Sequence, residues 1–136
     1  MATITRETES LLCARFEAAI PARVNDDAHL VWRGRHLAAH CLIGIGQRAY
    51  LLRIDAGRIA ECRTPPPLMS SCAFTIHGTV DAWERFWQSP PPPGWHDLFA
   101  LSKRGEMRFE GSLHPFLSHL QYFKDVLALP RSAAPA

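Results

Sequence analysis

Several features that would assign a function directly are missing from this sequence of 136 residues. No stretch is apolar for long enough to span a bilayer, so we expect no integral membrane segment. The net charge is only +2 and the Lys and Arg residues are scattered, which argues against a nucleic-acid-binding protein. The N-terminus has neither a basic lead nor an apolar run, so we expect no signal peptide and a cytoplasmic protein.

Motifs that carry catalysis are missing as well. The sequence has no Gly-x-Ser-x-Gly nucleophile elbow and no glycine-rich phosphate loop. The four cysteines are Cys13, Cys41, Cys62 and Cys72, and none of them forms a Cys-x-x-Cys pair. Without an export signal, we expect reduced thiols that fill the core. The sequence therefore predicts neither disulfides nor a cofactor nor a catalytic residue.

The seven histidines raise the alternative of a metal site. His36 and His40 would share one face of a strand, and His29 or His77 could join them. Zinc needs three or four converging ligands, and no local ligand motif in the sequence supplies them. We therefore interpret these imidazoles as solvent-facing side chains and predict no metal site.

The first half of the sequence predicts one helix followed by a meander of strands. An apolar stripe over residues 12–20 has helical spacing, and Pro21 is expected to end that helix. Residues 29–33 are rich in strand formers and predict a first strand. Strict alternation over 37–45 and then 49–54 predicts two half-buried strands joined by a tight turn at Gly46. A further strand is expected over 58–63, after a turn with Gly57 at positive φ.

The second half predicts strands that alternate with helices. A strand over 72–77 is followed by a short helix, 79–87, with Thr79 as its N-cap. Proline-rich connectors are expected at 65–67 and 90–93. A second short helix starts at 95 and ends near Gly105. A strand over 106–111 then leads into an amphipathic helix over 112–129, which Pro130 is expected to stop.

This order of elements predicts an α+β fold with a mixed, largely antiparallel sheet of five to six strands covered by helices. Helices separate the strand at 106–111 from the strand at 72–77, so it pairs either in parallel or at another position in the sheet. We expect one domain over residues 1–130 and a disordered tail over 131–136.

Large aromatic side chains are concentrated in the C-terminal half of the chain. They are Trp83, Phe86, Trp87, Trp95, Phe99, Phe116, Tyr122 and Phe123. An ordinary core explains each one alone, but together they exceed what short surface helices need. An apolar pocket with few polar anchors is a natural use of such a set. The alternative is a protein partner for which exposed tryptophans serve as anchors.

Three stretches resemble the sterol carrier protein type-two family of lipid-transfer domains. They are the hairpin 49–57, the strand-to-helix step 73–79 and, above all, residues 105–111, which resemble the family's glycine, alternating strand and second glycine before its closing helix. The resemblance spans roughly residues 11–129. It departs at Ser112, where the family commonly has Asp, and in the proline run 90–93.

The resemblance implies a five-stranded mixed sheet, covered by helices, with a hydrophobic tunnel between them. It implies non-enzymatic binding or carriage of a hydrophobic small molecule, such as a sterol, a fatty acyl chain or another lipid-like ligand. The tunnel lining that it implies is drawn from Phe74, Ile76, Trp83, Phe86, Trp87, Phe99, Met107, Phe109, Phe116, Leu120 and Phe123.

Two alternatives stay open at this point. An enzyme acting on an apolar substrate would need a histidine or a carboxylate inside the cavity. The acidic candidates are interpreted instead as turn, early-helix and solvent-facing residues, and they are Asp55, Asp81, Asp97, Glu106 and Glu110. An accessory or dimerisation subunit would use the aromatic helices as an interface with a second copy, as a homodimer, or with a partner enzyme.

Overall fold

Five strands form one open sheet, and helices pack against it. The computed structural model describes residues 2–66, 72–88, 91–95 and 97–132. The helices are α1 (Ala2–Asp26), α2 (Ala28–Arg33), α3 (Val80–Phe86), α4 (Leu98–Lys103), α5 (His114–Ser118) and α6 (Leu120–Ser132). The strands are β1 (Ala38–Ile45), β2 (Arg48–Asp55), β3 (Arg58–Arg63), β4 (Phe74–Gly78) and β5 (Met107–Gly111).

The strand order in the sheet is β3-β2-β1-β4-β5. The first three strands form an antiparallel meander. β4 then returns to lie parallel to β1, and β5 adds antiparallel to β4 at the edge. The predicted α+β fold with a mixed, largely antiparallel sheet is therefore confirmed. The expectation that the strand at 106–111 pairs in parallel or at another position is wrong, because it lies next to β4 and pairs with it antiparallel.

The inner face of the sheet follows the predicted alternation. Cys41 of β1 lies opposite Leu52 of β2 and Phe74 of β4, and all three side chains are buried. On the other face, His40 lies opposite Arg53, and both are exposed. A period of two thus separates an apolar layer under the helices from a polar outer face.

The turn between β2 and β3 requires glycine at position 57. Gly57 has φ +83°, in the left-handed region, as the sequence predicted. A Cβ at this position would also collide with the carbonyl oxygen of Val31. The hairpin tip therefore packs directly against the end of α2.

Residues 29–33 are helical, so the prediction of a strand there is wrong. The side chain of Asp27 accepts a hydrogen bond from the Leu30 amide at 3.1 Å and caps α2. Leu30 is buried, whereas Trp32 is 61% exposed. A cap and one anchored side chain fix the segment as a helix, and its strand-forming residues find no partner strand.

The prediction that Pro21 ends the first helix is also wrong, since α1 runs on to Asp26. Val24 lies four residues beyond Ile20 on the same helical face, and both side chains are fully buried. The apolar stripe therefore continues past the proline. Beyond it, Asn25 exchanges hydrogen bonds with the backbone of Ile59 in β3, at 3.1 Å and 2.8 Å.

The single C-terminal helix predicted over 112–129 is two helices. They are separated at His119, which has φ −122° and ψ 39°. The break leaves Leu117 53% exposed while Phe116 and Phe123 both stay buried. α6 also passes through Pro130 to Ser132 instead of stopping there.

Smaller differences concern the neighbouring elements. α4 begins at Leu98, with Asp97 as its N-cap, so Trp95 lies outside the helix. β4 begins at Phe74 rather than at Cys72. Thr79 caps α3 as predicted, accepting a hydrogen bond from the Ala82 amide at 3.0 Å. Pro67, Pro90 and residues 133–136, on which parts of the predicted connectors and tail fall, lie outside the described residues.

Two further observations bear on the chemical setting. All four cysteines are free thiols, and Cys13 and Cys41 are buried. Among the residues that the structure describes, none of the helices combines the length and the apolar character that a bilayer-spanning helix requires.

Candidate functional site

The predicted tunnel-lining residues all lie in one apolar layer between the sheet and the helices. Those that are fully buried are Phe74, Ile76, Trp83, Phe86, Trp87, Met107, Phe116 and Phe123. The remaining ones are half-buried and pack against the same core, and they are Phe99, Phe109 and Leu120. The structure thus brings the whole predicted set together, while their contact with a ligand stays a prediction.

Five phenylalanines, one from each of five elements, form what we call the phenylalanine cluster. They are Phe74 of β4, Phe99 of α4, Phe109 of β5, Phe116 of α5 and Phe123 of α6. Phe116 is central, with its ring centroid 5.7 Å from that of Phe74 and 5.4 Å from that of Phe123. Phe109 lies 5.2 Å and Phe99 6.3 Å from Phe116 on the outer side. A continuous path of rings therefore leads from the half-buried Phe99 and Phe109 to the buried Phe74.

A second group, the tryptophan cluster, consists of Phe16, Tyr50, Trp83, Phe86 and Trp87. The rings of Trp83 and Trp87 are 4.9 Å apart, and Phe16 lies 6.4 Å from Trp87. Trp83 Nε1 donates a hydrogen bond to the Gly44 carbonyl at 2.8 Å, and Trp87 Nε1 donates to the Leu127 carbonyl at 2.7 Å. Both indoles are therefore fixed in position by buried hydrogen bonds as well as by packing.

The two clusters lie at opposite ends of strand β4. Phe74 begins the strand in the phenylalanine cluster, and Ile76 follows on the same face. Gly78 ends the strand beside Trp83, where an added Cβ would lie 2.5 Å from the indole nitrogen. Glycine at this position therefore allows the Trp83 ring to lie directly against the strand.

The ionisable side chains buried in this layer are thiols and phenols. Burial raises the pKa of Cys41 and, to a smaller degree, that of Cys13. Burial also raises the pKa of Tyr122, whose hydroxyl donates a hydrogen bond to the Gly57 carbonyl at 2.6 Å. These groups are uncharged at neutral pH. Among the described residues, no side chain of Asp, Glu, His, Lys or Arg is fully buried.

Three clefts open at the surface rather than inside the phenylalanine cluster. One of about 490 Å³ lies on the outer face of the sheet around His40, Arg53 and Cys72. A second, of about 380 Å³, lies where α3 ends, α4 begins and α6 passes, and a third, of about 130 Å³, lies between α2 and α6. Of the predicted tunnel-lining residues, Phe86 alone borders any of these three clefts. The five rings of the phenylalanine cluster border none of these three clefts.

Comparison with known proteins identifies the fold. No family model and no curated protein matches the chain. Among solved structures, a sterol carrier protein 2 superposes with a TM-score of 0.68 at 12% identity, over 89% of this chain and 96% of that chain. The chain has the sterol carrier protein 2 fold. At this level of identity the likeness establishes the architecture alone.

Two other solved structures share the sterol carrier protein 2 fold with this chain. A conserved hypothetical protein from Thermus thermophilus, described as a candidate sterol carrier protein, matches with a TM-score of 0.61 at 12% identity, over 88% of this chain and 89% of that chain. The UbiJ-SCP2 ubiquinone synthesis protein matches with a TM-score of 0.51 at 14% identity, over 99% and 97%.

Sequence reasoning missed two cations beside the layer, Lys124 and Arg131. They line the 380 Å³ cleft together with Ala128. Positions 124, 128 and 131 are four and three residues apart, so they share one face of α6. The spacing of these positions is typical of one helical face. The sequence did not indicate it, because residue 131 falls in the predicted disordered tail.

Proposed function

We propose that the protein binds and carries an apolar small molecule, such as a sterol, a fatty acyl chain or another lipid-like ligand, without changing it chemically. The ligand lies within the phenylalanine cluster, between the sheet and helices α4 to α6. The observation that carries this proposal is the continuous path of phenylalanine rings from half-buried Phe99 and Phe109 to buried Phe74. A path of this kind gives an apolar molecule a favourable contact at each step into the core.

The proposal draws support from the names of the proteins that share the fold. One is named for sterol carriage and another for ubiquinone synthesis. Sterols and quinones with isoprenoid tails are both long apolar molecules. Burial of such surface is favourable by about 25 cal/mol per Å² before the entropy of ordering the ligand is subtracted.

The helices over the cluster are short enough to move. α4 has 6 residues and α5 has 5, and α5 lacks a side-chain hydrogen bond at its N-cap. Helices of this length are not stable on their own and depend on the packing of their apolar side chains. Parting them from the sheet therefore disturbs few hydrogen bonds, and the break at His119 allows α5 to move without α6.

Binding rather than catalysis is supported by the groups available inside the layer. The buried ionisable groups are thiols and phenols whose pKa values burial raises, so they are poor acids and bases at neutral pH. The layer offers hydrophobic contact, and none of the charged residues that the structure describes is buried within it.

The test is titration of the delipidated protein with cis-parinaric acid, a fluorescent fatty acid. We expect tryptophan emission to fall and parinarate emission to rise as energy is transferred. Phe109→Ala should weaken binding by roughly tenfold, which corresponds to about 1.4 kcal/mol of lost ring contact. Arg108→Ala, on the opposite face of the same strand, is the matched control and should bind normally. Unchanged emission at micromolar lipid would contradict the proposal.

A further inference from the structure

The 380 Å³ cleft beside α6 combines an apolar floor with a charged rim. Phe86 and Leu98 form the floor, and both belong to the buried core. The rim carries Asp97, Asp125, Lys124 and Arg131. Lys124 Nζ also lies 5.7 Å from the ring centre of Phe99, so the rim adjoins the outer end of the phenylalanine cluster.

Arg131 presents a donor without an acceptor at this cleft. Its Nε donates a hydrogen bond to the Phe86 carbonyl at 2.8 Å, and its guanidinium lies 4.8 Å over the Phe86 ring. These two contacts hold the side chain in place. Its Nη2 is buried and has no hydrogen-bond partner among the residues that the structure describes. A buried donor of a charged group is unfavourable unless it is paired, so this atom is suited to an anionic acceptor.

The two carboxylates on the rim are already engaged. Asp97 accepts a hydrogen bond from the Phe99 amide at 3.0 Å as the N-cap of α4. Asp125 forms an ion pair with Arg33 at 3.7 Å and accepts a hydrogen bond from Gln121 at 2.9 Å. Within the described part of the chain, no carboxylate forms an ion pair with Lys124 or Arg131. Lys124 and Arg131 are therefore free of direct ion pairs among the described residues, although Asp97 and Asp125 balance their charge on the same rim.

We propose that this cleft binds the oxyanion head group of an amphipathic ligand, a carboxylate or a phosphate, with the Arg131 guanidinium as the principal donor group and Lys124 as the second cation. The inference rests on the proposed function, because the tail of the same ligand occupies the phenylalanine cluster. The ligand class narrows accordingly from any apolar molecule to acidic lipids. The volume of the cleft is within the range of small-molecule sites.

The experiment compares oleate with oleyl alcohol, which has the same chain and no charge, by isothermal titration calorimetry. We expect the unaltered protein to bind oleate at least about tenfold more tightly than the alcohol, as a charge-assisted hydrogen bond predicts. Arg131→Gln should remove that preference and leave alcohol binding unchanged. The control is Arg108→Gln on the outer face of β5, where the side chain is 69% exposed, and it should keep the preference.

The outcomes separate this inference from the function on which it rests. If both lipids bind the unaltered protein equally and Arg131→Gln changes neither, the head-group site is wrong and carriage of apolar ligands stands. If neither lipid binds, the proposed function itself fails. If inorganic phosphate alone binds in an Arg131-dependent manner, the cleft takes a free anion and the lipid assignment is overturned.

A second variant keeps the test valid if Arg131→Gln does not fold. Lys124→Gln removes the other cation without disturbing the hydrogen bond to Phe86. It should reduce the preference for oleate in the same direction by a smaller factor. A preference for oleate that is as large in Lys124→Gln as in the unaltered protein would overturn the inference.

Discussion

The tryptophan cluster and the phenylalanine cluster occupy the same apolar layer but are fixed in different ways. Trp83 and Trp87 each donate a buried hydrogen bond to a backbone carbonyl, on β1 and on α6 respectively. The phenylalanines have no polar atom and are held by packing alone. Phe99 and Phe109 are also partly exposed, whereas Trp83 and Trp87 are at most 1% exposed. We therefore expect the phenylalanine cluster to rearrange more readily than the tryptophan cluster.

The difference has a direct energetic consequence. Moving Trp83 would break the buried hydrogen bond from its indole to the Gly44 carbonyl, a loss of about 1 kcal/mol on top of the lost packing. Moving Phe99 or Phe109 exposes only the buried part of a ring. A ligand that must displace aromatic side chains therefore meets less resistance in the phenylalanine cluster.

The largest expected effect is on stability. Trp83→Ala should lower the free energy of unfolding by about 3–5 kcal/mol, because it empties a fully buried site and removes a buried hydrogen bond. Phe109→Ala should lower it by only roughly 1 kcal/mol. Urea unfolding followed by circular dichroism measures both values. Equal losses would break the distinction between the two clusters.

A smaller effect is expected from a substitution that removes the hydrogen bond of Trp87. Trp87→Phe keeps a ring but removes the donor to the Leu127 carbonyl, so we expect a loss of about 1–3 kcal/mol. Phe116→Leu in the other cluster makes a buried side chain smaller but removes no hydrogen bond, and it should lose roughly 1 kcal/mol. Urea unfolding measures both losses. A Trp87→Phe variant that is as stable as the unaltered protein would show that the indole hydrogen bond does not contribute to stability.

Two buried thiols provide reporters of local opening, one for each cluster. Cys41 lies opposite Phe74 in the sheet, and Cys13 lies on α1 beside Tyr50. Saturating oleate should slow maleimide labelling of Cys41, by up to about a hundredfold at a ligand concentration a hundred times the Kd. Labelling of Cys13 should change little. Peptide mass spectrometry locates the label, and equal protection of both thiols would indicate global rather than local stabilisation.

The two tyrosines, Tyr50 and Tyr122, test burial in the two regions through their ionisation at high pH. This is the smallest effect that we expect. Burial raises the pKa of both, and the hydrogen bond from Tyr50 to Glu17 raises the pKa of Tyr50 further. Tyrosine in the unfolded chain has a pKa of about 10, and the folded state raises it. The contribution of the two buried, uncharged tyrosines to stability is therefore fully present below about pH 10 and is lost as the pH rises above that value. Absorbance at 295 nm should show no tyrosine ionisation before unfolding. Ionisation near pH 10 in the folded protein would contradict burial of these groups.

Much of the sheet could be predicted from the sequence because its signals are local. The alternation in β1 and β2 and the cap at Thr79 each depend on a few adjacent residues. The order of elements, together with residues 105–111, was enough to suggest the sterol carrier fold. The gathering of the predicted tunnel-lining residues into one layer followed from that fold.

What could not be predicted depended on distant contacts. α2 is helical because Asp27 caps it and no neighbouring strand is available, although Val31 and Trp32 are strand formers. The break at His119 lies between Phe116 and Phe123, which are both buried, and no local signal in the sequence marks it. The direction of each ring was not readable from the sequence, so the contacts within the phenylalanine cluster could not be predicted. The position of the Arg131 side chain depends on its hydrogen bond to Phe86, which is 45 residues away in the sequence.

The most direct test of the account locates the ligand. A stearic acid carrying a nitroxide along its chain would be added to the isotope-labelled protein, and paramagnetic broadening of the backbone amide signals would be mapped by NMR. The account predicts the strongest broadening in α4, α5 and β5 around Phe116, with weaker effects at Trp83 and Trp87. Broadening confined to the outer face of the sheet around His40 and Arg53, or no broadening at all, would contradict it.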